Sequence, residues 1–120
     1  MVLVDTSVWV GHFRSGDQRL ASLLEQEEVV SHPFVVGELA CGNLPRCDET
    51  LDLFERLPQA LIAGHDEVMR FIRSEGLIGM GLGYVDVHLL ASARLSGVSL
   101  WTLDEPLRKA ARKLEVIFEL

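Results

Sequence analysis

Met1-Val2-Leu3-Val4-Asp5-Thr6-Ser7 is an apolar run stopped by an aspartate and two hydroxyl residues. With no polar alternation, it fits a strand buried on both faces, and Thr6 and Ser7 offer N-caps for a helix directly after it. Val98 to Leu103 is a second apolar run of this kind, stopped by Asp104. Each strand therefore ends on a carboxylate.

Between and beyond these runs the pattern is mostly helical. Leu20, Leu23 and Leu24 have helical spacing, and Val29-Val30 before Pro33 suggests a short second strand leading into a helix with Pro33 in its first turn. Helices are predicted over about 34–41, 48–57 (closed by Pro58) and 66–74, with a short strand near 60–63. Gly76, Gly79, Gly81 and Gly83 mark a loop, and Tyr84 to Ser96 reads as a helix ending at Gly97. A basic-faced helix over 105–114 and a last strand over 116–118 complete the pattern. Short apolar strands alternating with longer helices predict an α/β/α sandwich, three layers around a mainly parallel central sheet. In such sheets the working crevice lies beyond the carboxyl ends of the strands, which directs attention to Asp5 and Asp104.

Composition narrows the function. A chain of 120 residues, 48% apolar and 24% charged with no low-complexity tract, is expected to form one globular domain over residues 1–120 with a radius of gyration of roughly 14 Å. No apolar stretch approaches the ~20 residues of a membrane span and no basic leader precedes the first strand, so a cytoplasmic location is expected. The two cysteines, Cys41 and Cys47, suit neither a disulfide framework nor a zinc site. Eleven Lys and Arg against 18 Asp and Glu give a net charge of −7, which argues against a binder that depends on a broad positive field. Any nucleic-acid contact must be local, and Arg94, Arg108, Lys109, Arg112 and Lys113, five of the eleven cations, are a candidate basic patch in the last quarter of the chain.

Two further acids stand out. At about 100° per residue, Glu38 falls between Phe34 and Cys41 on one side and Val35 and Leu39 on the other, within an apolar face. Asp86 leads an apolar stripe of Leu89, Leu90 and Ala93. Each acid also has a plain structural reading, as a helix cap or a first-turn residue favoured by the helix dipole. Together, however, two acids on core-facing helices beside two at strand ends are costly when ionised and unpaired. No Lys or Arg lies within a few residues of Asp5, Glu38 or Asp86, and Arg108 comes only four residues after Asp104. A divalent cation is the economical counter-charge, and oxygen ligands without paired His or Cys favour Mg²⁺ or Mn²⁺.

Asp5-Thr-Ser-Val-Trp9, Pro33-Phe-Val-Val-Gly-Glu38-Leu39, Gly83-Tyr-Val-Asp86-Val-His-Leu-Leu-Ala-Ser-Ala93 and Leu100-Trp-Thr-Leu-Asp104, in that order, resemble the PIN-domain ribonucleases, specifically the VapC toxins of VapBC toxin–antitoxin modules. The likeness runs from residue 2 to about residue 118. It implies an endoribonuclease using Mg²⁺ or Mn²⁺, with Asp5, Glu38, Asp86 and Asp104 as metal ligands and a metal-activated water attacking the phosphate in line, leaving a 5′-phosphate and a 3′-hydroxyl. It further implies supporting roles for Thr6 and Thr102, a homodimer, and a VapB-type antitoxin whose basic side chain enters the acidic site. Arg14, Arg108 and Arg112 are candidate RNA contacts beside that site.

Other residues have plainer readings. His88 points about 160° away from Asp86 on a helix. His12, His32 and His65 fit capping or surface positions, and Trp9 and Trp101 fit the core or a dimer contact. A haloacid-dehalogenase-like phosphatase would need an Asp where Ser7 stands, and a receiver would need paired acids where Thr6 follows Asp5. The remaining alternative is a PIN-like module that binds RNA or a partner without cutting.

Overall fold

In the computed structural model, which describes residues 1–119, Val2–Val4 (β1) is the middle of a parallel three-stranded sheet, flanked by Val29–Val30 (β2) and Ser99–Trp101 (β3). All three β1 residues are buried. Consecutive strand side chains point to opposite faces, so complete burial means that helices cover both sides, which is why the run is continuously apolar. Leu3 pairs with Val30 on one side and Leu100 on the other, and the Asp5 N–H donates to the Trp101 carbonyl at 2.9 Å. That bond aligns the carboxyl ends of β1 and β3, so Asp5 and the residues after Trp101 emerge side by side.

The helices are Thr6–Ser15 (α1), Gln18–Glu25 (α2), Pro33–Ala40 (α3), Cys47–Arg56 (α4), His65–Ser74 (α5), Tyr84–Ser96 (α6) and Glu105–Lys113 (α7). They match the sequence reading to within a residue or so at most ends. Gly97 ends α6 in the left-handed conformation at φ 65°, which lets the Val98 N–H reach back to the Ala93 carbonyl at 3.0 Å. No helix among the described residues is long and apolar enough to cross a membrane. Both cysteines are free and exposed. Trp9 and Trp101 are core residues, 2% and 3% exposed, and Trp9 meets the Phe54 ring edge-on at 4.8 Å.

Three expectations need correcting. The strand near 60–63 reduces to a single parallel bridge between Ser31 and Gln59, because the chain then turns outward, leaving Leu61 and Ile62 exposed and the Leu61 N–H on the Ser96 hydroxyl. The last strand is likewise one bridge, Leu100 to Ile117. Thr6 and Ser7 do not cap α1. Asp5 occupies the N-cap position with extended dihedrals, yet its side chain makes no capping bond, being held elsewhere.

His32, the N-cap of α3, ties that helix to the core. It is fully buried, its Nδ1 accepts the Phe34 N–H at 3.0 Å, and its Nε2 lies 3.0 Å from the Ser92 hydroxyl on α6. Because Nδ1 accepts, the ring proton sits on Nε2 and donates to Ser92. Burial, with a smaller contribution from His88, lowers the His32 pKa to about 4. The neutral ring therefore stabilises the fold above its unfolded pKa of about 6.5, and that stability drains away as pH falls towards 4, because the unfolded chain takes the proton first. Urea unfolding at pH 7 and pH 4 should show wild type losing about 3 kcal/mol more than His32→Asn, which keeps a capping oxygen but cannot titrate. Equal losses would refute the assignment.

Candidate active site

Asp5 is buried at the end of β1, and two hydroxyls converge on its Oδ2: Ser7 donates at 2.9 Å and Thr102 at 2.7 Å. Each hydroxyl in turn accepts a backbone N–H, Ser7 from Leu103 at 3.0 Å and Thr102 from Asp104 at 3.1 Å. Since each hydroxyl has one proton and gives it to the carboxylate, the 3.4 Å approach of Ser7 to Thr102 adds no further donated bond. The relay joins the end of β1, the first turn of α1 and the segment leaving β3.

Asp104 caps α7, its Oδ2 accepting the Leu107 N–H at 3.1 Å, so the plain capping reading holds for that oxygen. Asp86 lies in the first turn of α6 and accepts the Gly83 N–H at 2.9 Å. Glu38, on α3, accepts the Thr6 hydroxyl at 2.9 Å, bridging α3 to α1. In every one of the four carboxylates a single oxygen is held this way, and the other accepts no hydrogen bond among the described residues.

The four acids act on one another. The Asp86 carboxyl is pushed above the ordinary range first by burial and then by the charges of Asp104, Asp5 and Glu38, against a lowering from the Gly83 N–H. So the sheet and helices bring Asp5, Glu38 and Asp104 within electrostatic reach of Asp86. None of them is in an ion pair among the described residues. As they stand, no three or more His, Cys, Asp or Glu side chains among the described residues are grouped closely enough to hold a metal ion, so the four acids would have to draw together around one.

Placement differs in detail from expectation. Glu38 is exposed, not part of the apolar face, because α3 buries only Val35 and Leu39 and turns Glu38 towards α1. Asp86 is half-buried at the head of a stripe whose later members Leu89, Leu90 and Ala93 are fully buried. Thr6 and Thr102 both touch acids. The bond from Ser7 to Asp5 goes beyond its sequence reading as a cap; its signal is a hydroxyl two residues past a strand-end aspartate, where a first helical turn can fold it back.

The candidate cations are peripheral. Arg108 is 3.9 Å from Glu105 and donates to the Thr102 carbonyl at 3.4 Å, while Arg112 and Arg14 are exposed and contact none of the acids. His88 is buried with neither ring nitrogen partnered among the described residues, held edge-on between Phe34 at 4.7 Å and Tyr84 at 4.6 Å. Burial keeps it neutral, so it supplies no positive charge to the acids.

The PIN domain family profile matches residues 2–113. Ribonuclease VapC32 of Mycobacterium tuberculosis, in strains CDC 1551 / Oshkosh and H37Rv alike, is 47% identical over 111 residues, covering 92% of this chain and 90% of the relative. The crystal structure of PAE2754 from Pyrobaculum aerophilum superposes with a TM-score of 0.63 at 19% identity, covering 91% of this chain and 83% of that one, a likeness of fold.

A crowded, uncompensated carboxylate should weaken the fold that holds it. Asp86 has a raised pKa in the folded state, so its charge opposes folding above the ordinary carboxylate range and the penalty fades as pH falls and the proton returns. Asp86→Asn, which keeps an oxygen for the Gly83 N–H, should raise the thermal midpoint at pH 7 in a chelator and lose that advantage in acid. A lower midpoint at pH 7 would show that the four charges are not in conflict.

Proposed function

The chain belongs to the PIN-domain family, and on that footing we propose that it is a VapC-type endoribonuclease, the toxin of a toxin–antitoxin pair, hydrolysing RNA to leave a 5′-phosphate and a 3′-hydroxyl. The observation that carries the reading is four carboxylates, three of whose charges act on the fourth, Asp86; among the described residues each has one oxygen held and one accepting no hydrogen bond, and none is in an ion pair. The hard oxygen donors of Asp5, Glu38, Asp86 and Asp104 fit Mg²⁺, with Mn²⁺ as a substitute, and would hold it. When bound, such an ion supplies Lewis-acid polarisation of the phosphate and an activated water.

The chain's own residues do the positioning. Ser7 and Thr102 fix one oxygen of Asp5, Thr6 fixes one of Glu38, and the N-terminal turns of α6 and α7 fix Asp86 and Asp104 through backbone N–H groups. These bonds orient each carboxylate without neutralising it. The 2′-hydroxyl of the substrate is then a recognition group, not the nucleophile. Arg108 and Arg112 on α7 lie beyond Asp104 and are suited to neighbouring phosphates. An acidic site on a −7 chain suits inhibition by a basic segment of a VapB-type antitoxin. A homodimer of single PIN domains in the cytoplasm completes the reading.

Purified protein incubated with end-labelled cellular RNA and Mg²⁺ or Mn²⁺ should give discrete fragments with 5′-phosphate ends, and chelator should abolish them. Asp86→Asn should reduce cleavage on the order of a thousandfold, equivalent to about 4 kcal/mol of barrier. Arg112→Ala should weaken RNA binding and flatten its logarithmic salt slope by about 0.7. Intact RNA with folded, antitoxin-free wild type would leave the non-catalytic PIN-like binding module in its place.

A further inference from the structure

A cleft of about 500 Å³ runs from the acid site along α1. Thr6, Val10, Phe13 and Arg14 line it with the spacing of one helical stripe, facing Glu38 and Leu39 of α3 and the loop that follows. Thr6 and Glu38, bonded to each other, belong both to this cleft and to the acid site. The cleft therefore opens directly beside the acids, so a strand bound there can continue into it.

The lining has the chemistry of a base pocket. Phe13 is half-buried and its ring is stacked on Trp9, 5.7 Å between centroids at 27°, while Trp9 is itself locked against Phe54. A ring braced in this way offers a stacking platform at little entropic cost. Leu39 and Leu44 add apolar surface, and the exposed Asn43 amide, in no hydrogen bond among the described residues, offers one donor and one acceptor to a base edge. Arg14 lies two turns along α1 from Thr6, roughly 12 Å at the helical rise, with no ion pair among the described residues. It can meet a phosphate next to the one at the acids. The volume lies within the range of small-ligand pockets, about 300–1,000 Å³.

We propose that this cleft is a nucleobase subsite: an unpaired base beside the scissile phosphate enters between α1 and the loop after α3, stacks on Phe13, is read by Asn43, and has its outer phosphate held by Arg14. The proposal rests on the ribonuclease reading, and the experiment separates the two. Isotope-labelled protein in chelator is titrated with a short single-stranded oligoribonucleotide while its amide resonances are followed. In parallel, a randomised single-stranded RNA pool is cut in Mg²⁺ and the ends are sequenced. Resonances of Phe13, Asn43 and Leu44 should shift, and cut sites should show a base preference at one position beside the break. Asn43→Ala, an exposed change, should reduce that preference at least about fivefold. Val10→Glu, which places a carboxylate on the cleft wall, should suppress the resonance shifts. Shifts without cleavage would support the subsite while removing the nuclease reading. Cleavage with a silent cleft and a preference unchanged in Asn43→Ala would overturn the subsite while leaving the nuclease intact. A cleft that ignores RNA and responds only to a basic amphipathic peptide would overturn it in favour of a protein occupant.

Discussion

Repulsion of Asp86 by Asp104, Asp5 and Glu38 is the constraint on which the site depends. Burial already disfavours the ionised form of Asp86, and each of the other three acids disfavours it further. In a protein of marginal stability that conflict must be offset by the apolar sheet and the helices packed on it. The offset is visible in β1, where Val2, Leu3 and Val4 are all buried, and in α6, where every residue from Val87 to Ala93 is buried directly behind Asp86. Strain placed on one turn of α6 is thus borne by the most deeply packed helix of the fold.

Much of this was legible in the sequence because it depends on period and punctuation. A short unalternating apolar run stopped by an aspartate and hydroxyl residues fits a two-sided strand, and Gly97 marks the end of α6 because the chain there needs a positive φ. The acids were legible for a different reason: Asp5 and Asp104 stand where strands end, and Asp86 heads an apolar stripe. Other features depend on long-range geometry that no local pattern encodes. Whether Gln59 to Ala63 pairs as a strand depends on where the chain must go next, and the Ser96 hydroxyl that takes the Leu61 N–H lies 35 residues away in sequence. Glu38 misled for a related reason. A helical wheel finds its apolar neighbours, but only the packed structure says that Val35 and Leu39 face inward and Glu38 faces α1.

Histidines show how burial settles charge where sequence leaves it open. His32 and His88 are both buried, both have lowered pKa values, and both pack on the Phe34 ring. Neither becomes a counter-ion for the acids. His32 instead spends both ring nitrogens on hydrogen bonds that tie α3 to α6, the helices carrying Glu38 and Asp86. Its neutrality is therefore part of how the acid site keeps its shape.

If the site takes a cation as proposed, the choice of hydroxyls over cations as supports follows from the charge it must keep. An Arg or Lys bound to Asp5 would orient the carboxylate equally well but would satisfy its charge, and the attraction for an incoming cation would fall with it. Ser7, Thr102 and Thr6 donate one neutral hydrogen bond each, which fixes geometry and leaves the formal charge in place. The backbone N–H groups of Gly83 and Leu107 do the same for Asp86 and Asp104. The guanidinium of Arg108, four residues after Asp104, is turned to Glu105 and the Thr102 carbonyl. On the proposed metal-binding reading, the same logic explains the tolerance for a raised Asp86 pKa: a site whose charges were already balanced would be more stable and would have less to offer a metal ion.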